Sequence, residues 1–195
     1  MYLYLVRHGQ SEGNVLGNFH GWTDYPLTEL GHQQACQVRD KLKEVTFSRC
    51  CASDLRRAWD TAGHCLEGRN IVREAFPDLR EHFMGDMEQV SKEDACERWP
   101  GICTTFFADW FNTVPPGGED PRDMLKRVGR CIDEIIRRGE DTLIVAHYCS
   151  LGIALVHLGL LDPRDIMTNR YDFRQGTYAA VEITEQGARL MCFNR

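Results

Sequence analysis

The sequence predicts an α/β fold: three layers, α/β/α, around a mostly parallel central sheet with an antiparallel edge hairpin and a helical insertion. Three observations lead there. Short apolar runs alternate with stretches whose apolar residues recur at helical spacing, the pattern of strands joined through crossover helices. Near the C-terminus, TYAAVEIT and ARLMCF flank Gln186-Gly187 and read as a hairpin. Between residues 77 and 118 the alternation breaks, which marks a helical excursion from the layered plan. A length of 195 residues suits one domain spanning 1–195, since domains commonly run to about 100–200 residues.

The elements follow in order. YLYLV (2–6) is an apolar run closed by the polar segment HGQSEGN, hence a buried strand and then a loop. Thr28 opens a helical pattern carried by Leu30, Ala35, Val38 and Leu42. FSRCCA (47–52) is a second strand, after which Ser53 or Asp54 can cap the helix LRRAWDTAGHCL. IVREA (71–75) is a third strand, closed by Pro77. The excursion is rich in aromatic residues from Phe83 to Phe111, has a helix start at Ser91, and ends at Pro115-Pro116-Gly117-Gly118. Met124, Leu125, Val128, Cys131, Ile132, Ile135 and Ile136 then mark a long amphipathic helix. TLIVA (142–146) is the fourth strand, with a helix from about Ser150.

Composition narrows the partners. Hydrophobic residues make up 43% and charged residues 27%, with a net charge of −6 and a pI near 5.6. An acidic chain has no electrostatic footprint for nucleic acid or an anionic membrane, so a bound phosphate must be met by local positive charge. Residues 142–161 lack Asp, Glu, Lys and Arg, but two histidines, two glycines and acidic flanks argue for a strand, a loop and an apolar helix and not a membrane span. The nine cysteines contain no Cys-x-x-Cys pair, and MYLYLVRHGQ lacks the basic start of a signal peptide. The expectation is a cytoplasmic protein with free, mostly buried thiols. A homodimer is compatible with the sequence.

Ligands of open α/β sheets bind beyond the carboxyl ends of the strands. Those ends carry Arg7-His8-Gly9, then Ser53-Asp54-Leu55-Arg56-Arg57, then Asp78-Leu79-Arg80-Glu81-His82, then His147-Tyr148-Cys149. If the strands are parallel, two histidines, at least two arginines and one acid meet on one edge. Arginines for a dianion, an imidazole nucleophile and an acid for the leaving oxygen suit a phosphate monoester.

LVRHGQSEGN, PLTELG, ASDLRRAWDTA, LREHFMGDMEQ, PPGGED and VAHYCSLG, in this order, resemble the histidine phosphatase superfamily, in its phosphoglycerate-mutase-like branch. Arg-His-Gly alone is a cheap match; its place after an N-terminal strand, with Ser-Asp-Leu-x-Arg-Ala and a late strand ending in Ala-His, gives the specificity. The tail YDFRQGTYAAVEIT is similar to the members that dephosphorylate α-ribazole 5′-phosphate in cobalamin assembly. The resemblance implies His8 as nucleophile, Arg7 and Arg57 as phosphoryl clamps, His147 as a second phosphate-binding histidine and Glu81 as proton donor, with Asp78 and His82 as rivals. It also implies phosphate contact by Asn14 and a tautomer of His8 fixed by the Gly9 carbonyl. Substrate contacts are further expected at Gly9, His20, Gly21 and Tyr148. Neither metal nor cofactor is required, since two arginines and a protonated histidine can neutralise the phosphoryl charge. Three positions depart from the family pattern: Tyr148 where Gly or Gln is usual, Met87 where Trp is common, and His20 where mutases carry Ser or Thr. The ring of Tyr148 needs room, so the mouth of the pocket should differ.

Rival chemistries fare worse. Cys50 to Arg56 and Cys51 to Arg57 satisfy the Cys-x₅-Arg spacing of cysteine-dependent phosphatases, but so does Cys131 to Arg137 inside an amphipathic helix. Asp54 would also place an anion in the phosphate loop. No Walker-type motif and no Asp- or His-rich metal cluster occurs. Two alternatives stay open: a phosphomutase, which would need more basic residues than the Lys92 and Arg98 found between Glu81 and Pro115, and a catalytically silent binding protein of the same fold, which would lack His8, Arg7, Arg57 or His147.

Overall fold

A computed structural model describes all residues from Met1 to Arg195. Six strands, β1 (Tyr2–Arg7), β2 (Arg49–Ala52), β3 (Arg73–Ala75), β4 (Thr142–Ala146), β5 (Tyr178–Thr184) and β6 (Gly187–Cys192), form one sheet in the order β3-β2-β4-β1-β5-β6. The first four in that order are parallel; β5 and β6 close the other edge antiparallel. The register aligns Arg7 with Ala146, Val145 with Ala52, and Ala52 with Ala75. His8, Ser53 and His147 therefore follow three neighbouring strand ends on one edge.

The two-residue period of a strand sorts the core into two layers. Leu3, Leu5, Ile144 and Ala146 face Met124, Val128, Ile132, Ile135 and Ile153, which lie on helices α6 (Pro121–Arg137) and α7 (Tyr148–His157). Val6, Leu143 and Val145 face Val38, Leu42, Ala58, Ala62 and Cys65 on the opposite side, where α2 (Glu29–Lys41) and α3 (Arg56–Cys65) lie. β4 is buried along its whole length because helices cover both its faces. The apolar run 142–161 divides into β4 and α7, and no helix is long and apolar enough to cross a membrane.

Several local expectations shift. The polar segment after β1 is not all loop: α1 (Glu12–Leu16) forms there, capped by the Ser11 hydroxyl while Asn14 returns a bond to the Ser11 amide. α3 has Leu55 at its N-cap with no side-chain cap bond, because Ser53 and Asp54 are engaged elsewhere. α7 starts at Tyr148, ahead of Ser150, whose hydroxyl instead accepts from the His147 amide. The excursion holds α4 (Lys92–Arg98), capped by Ser91, and α5 (Pro100–Ala108), plus three short 3₁₀ turns. Its cysteines correct the expectation of free thiols throughout: the turn at Pro100 folds α5 back on α4 and joins Cys96 to Cys103, with Cα atoms 5.1 Å apart. The other seven are free, five of them buried.

Candidate active site

β1 delivers His8 to the sheet edge as a buried side chain. Its Nδ1–H donates to the Gly9 carbonyl at 2.7 Å, which fixes the tautomer and leaves the Nε2 lone pair free. A Cβ on Gly9 would stand 2.2 Å from the Gly31 carbonyl oxygen, so the turn after β1 can pack on the start of α2 only as glycine. Burial and the Arg57 and Arg7 guanidinium groups hold His8 well below the ordinary imidazole range. The side chain is thus neutral.

Arg57, in the first turn of α3, is completely buried. Its Nη1 and Nη2 donate to the carbonyls of Thr23 (2.9 Å) and Gly21 (2.7 Å). Those carbonyls are fixed by Glu88, whose carboxylate accepts from the amides of Gly21, Trp22, Thr23 and Met84 and from the Thr23 hydroxyl. Burial alone would raise the Glu88 pKa, but these donors outweigh it and leave a stable carboxylate. Gly21 also runs too close to the His82 carbonyl oxygen for a Cβ. Arg7 donates from Nη1 to the Phe173 carbonyl at 2.9 Å and lies 4.9 Å from the centre of the Tyr148 ring. The Nε groups of both arginines are buried with no partner. Two guanidinium groups at one cavity favour an anion there.

His147 caps α7 and is fully buried, with its ring centre 5.0 Å from that of His8. Nε2 meets the Ser53 hydroxyl at 2.8 Å, while Nδ1 has no partner. Burial, Arg57 and His8 hold it well below the ordinary imidazole range, so the protonated histidine expected from the sequence is neutral while no anion is bound. Glu81 accepts from the His82 amide at 2.8 Å and, through Oε2, from the Cys149 amide in the first turn of α7 at 3.1 Å.

A cavity of about 280 Å³ opens over these groups, lined among others by Arg7, His8, Asn14, His20, Arg57, Glu81 and Tyr148. Four expected site residues lie outside that lining. His147 sits behind it beside His8. Gly9 and Gly21 act one step back, through carbonyls that hold His8 and Arg57, because each is pressed against neighbouring backbone. Asp78 stands apart, 4.0 Å from Arg130, which leaves only His82 as a rival to Glu81 in the cavity. The cysteine alternative loses its nucleophile: burial pushes Cys51 up to about 12 and Cys50 higher still, so neither is a thiolate.

Two supports escaped the sequence reading. Arg127 pairs bidentately with Glu119 and donates to the carbonyls of Asp78, Arg80 and Glu81, so it ties down the segment that carries Glu81. Its signal was available, because residue 127 falls on the apolar stripe of α6 between Met124 and Val128. Glu88 lay inside the motif LREHFMGDMEQ, but its partners from Gly21 to Thr23 are far away in sequence, so its role could not be read there.

The model of the histidine phosphatase superfamily, branch 1, matches residues 3–195. The chain belongs to this superfamily. This histidine phosphatase is 35% identical over 201 aligned positions to the adenosylcobalamin/α-ribazole phosphatase of Salmonella typhimurium LT2, covering 100% of this chain and 96% of the relative. It is 36% identical over 176 positions to the 2,3-bisphosphoglycerate-dependent phosphoglycerate mutase of Xanthobacter autotrophicus, covering 85% and 84% of the two chains. The crystal structure of the α-ribazole phosphatase from Shigella flexneri superposes with a TM-score of 0.90 at 29% identity, over 100% of this histidine phosphatase and 96% of that chain.

Proposed function

We propose that this histidine phosphatase hydrolyses a small phosphate monoester through a phospho-His8 intermediate and without a metal ion. The observation that carries the reading is that His8, its Nδ1 held by the Gly9 carbonyl, shares one cavity lining with the guanidinium groups of Arg7 and Arg57. His8 Nε2 attacks phosphorus as the ester P–O bond breaks. Arg7 and Arg57 take the charge that spreads over the equatorial oxygens, and His147 adds a donor from Nδ1 once the phosphate has raised its proton affinity. Glu81 is the group that gives a proton to the leaving alkoxide. It then accepts one from the water that cleaves the P–N bond, releasing inorganic phosphate. Asn14, which already contacts His20 at 3.3 Å, and His20 border the phosphate.

The names of the Salmonella and Shigella relatives favour an α-ribazole phosphate as the physiological substrate, and with it a place in cobalamin assembly. The mutase relatives raise transfer to a second hydroxyl of the substrate as the other reading. Beyond Arg7 and Arg57, however, Lys92 is the only basic Lys or Arg lining the cavity. One flexible ammonium is a poor grip for a second phosphate, which favours water as acceptor. The test is His8→Ala with EDTA present. Phosphate release and acid-labile phosphohistidine should both vanish, a loss on the order of thousands-fold, while Cys50→Ser and Cys51→Ser keep activity. Full activity in His8→Ala, or strict dependence of the wild type on Mg²⁺ or Zn²⁺, would overturn it.

A further inference from the structure

The phosphoryl chemistry leaves part of the cavity unused. Phe19, Met84, Phe106, Phe107 and Met167 line it as well, and none of them has a role for phosphate. Three of these rings brace one another. Phe106 packs edge-on against Phe19 (centres 5.5 Å apart, 86°) and against Phe107 (5.4 Å, 84°). Phe19 and Phe106 are buried, at 7% and 2% exposure, while Phe107 is 45% exposed. An aromatic ring thus faces solvent at the mouth of the active-site cavity, held in place by two rings that do not.

Two further features mark this wall. Lys92, at the start of α4, places its ammonium 5.8 Å from the Phe107 ring centre, and its side chain is exposed. Met167 lines the same cavity with a φ of +68°, a left-handed conformation that an unbranched non-glycine residue adopts at some cost. Its thioether adapts readily to aromatic surfaces. A polar or anionic alcohol gains little from a wall of rings and thioethers. A planar ring gains area, a stacking face and a cation at its edge.

We propose that Phe107, backed by Phe19 and Phe106 and bordered by Lys92 and Met167, is the platform on which a planar ring of the leaving group stacks. The enzyme would then select monoesters of ring-bearing alcohols over those of small polar or anionic ones. The proposal rests on the phosphatase reading of the site and assigns its leaving-group specificity to α4 and α5.

The experiment compares kcat/KM for benzyl phosphate, glycerol phosphate and phosphoglycerate in the wild type, Phe107→Ala, Phe107→Tyr and Lys92→Met. Phe107 is exposed, so its truncation spares the core. The wild type should prefer benzyl phosphate. Phe107→Ala should lower kcat/KM for that ester by about 3- to 10-fold, mainly through KM, with glycerol phosphate changed by less than about 2-fold; Phe107→Tyr should restore the preference. Equal losses on benzyl and glycerol phosphate would make Phe107 a mere support and overturn the proposal, as would no loss on either. A preference for phosphoglycerate that disappears in Lys92→Met would overturn it in favour of a second anion site. Failure to release phosphate from any ester would instead overturn the phosphatase reading, and the platform with it.

Discussion

The hydroxyl of Ser53 lies 2.8 Å from Nε2 of His147, across two neighbouring strand ends. Both side chains are fully buried. Ser53 stands where a helix cap was expected, but its oxygen orients the second histidine of the site, and α3 begins without a side-chain cap. The same hydroxyl also accepts from the Leu55 amide at 3.4 Å, so it serves the chain entering α3 and the tertiary contact together.

Ser53→Ala should therefore damage catalysis out of proportion to its size. It leaves His147 Nε2 buried without a partner, a cost of about 1–3 kcal/mol, and frees the ring to turn. A loss of about 10-fold in kcat/KM is expected for that range of energies, with Ser53→Thr recovering part of it. Steady-state kinetics beside a urea melt will separate the two effects. Unchanged kinetics in a destabilised Ser53→Ala would reduce the contact to packing.

Glu81→Gln tests the acid. An alkoxide leaves badly without a proton, whereas nitrophenolate leaves unaided, so an alkyl phosphate should slow by roughly 10²–10⁴-fold. The phosphorylation burst with nitrophenyl phosphate should change far less. Equal burst losses on the two substrates would make Glu81 a positioning residue and His82 the next candidate, since His82 shares the cavity and Asp78 does not.

Arg127→Met probes the support of that acid. The substitution leaves Glu119 largely buried and uncompensated, which costs about 3–5 kcal/mol when a buried pair is broken. Because Arg127 holds the Glu81 carbonyl at 2.9 Å, alkyl phosphates should lose more kcat than aryl ones in the protein that remains folded. The matching loss of stability should be smaller in Arg127→Met/Glu119→Gln. A double variant no more stable than the single one would break this account.

Stability should fall in acid earlier than ordinary carboxylates require. Burial, with help from Arg57, holds both His8 and His147 well below the usual imidazole value. In the unfolded chain each takes a proton near pH 6.5, so below that pH the unfolded state binds more protons than the folded one. Their contribution is complete above about pH 6.5 and is lost as the pH falls from there towards the folded-state values. Urea midpoints should accordingly drop between about pH 6.5 and 5, and His147→Gln should flatten the slope. A midpoint that stays level or rises over that interval would show the two histidines to be protonated in the fold. Vanadate, which supplies negative charge to the site, should oppose the drop.

Apolar runs were enough to reveal the layers. YLYLV and TLIVA are unbroken, the pattern of strands buried on both faces, and the fold sends Leu3, Leu5 and Ile144 to one face and Val6 and Val145 to the other. The short helix after β1 was missed because one turn of helix carries no repeat to read. Its Ser11–Asn14 capping pair was the available sign.

The sequence by itself determined the layered fold, the hairpin, and the candidates His8, Arg7, Arg57, Glu81 and His147. Strand ends and apolar spacing are local properties, and the motifs name the side chains. Only the tertiary structure decided which of them share the cavity, that Asp78 is excluded, and that Gly9 and Gly21 serve as backbone holders. It alone brought Glu88 to the loop that grips Arg57 and laid Phe107 beside Lys92 at the mouth. The reason is that a buried charge or an exposed ring is defined by what surrounds it. Those surroundings come from residues far off in the chain, such as the amides of Gly21 and Trp22 that enclose the Glu88 carboxylate.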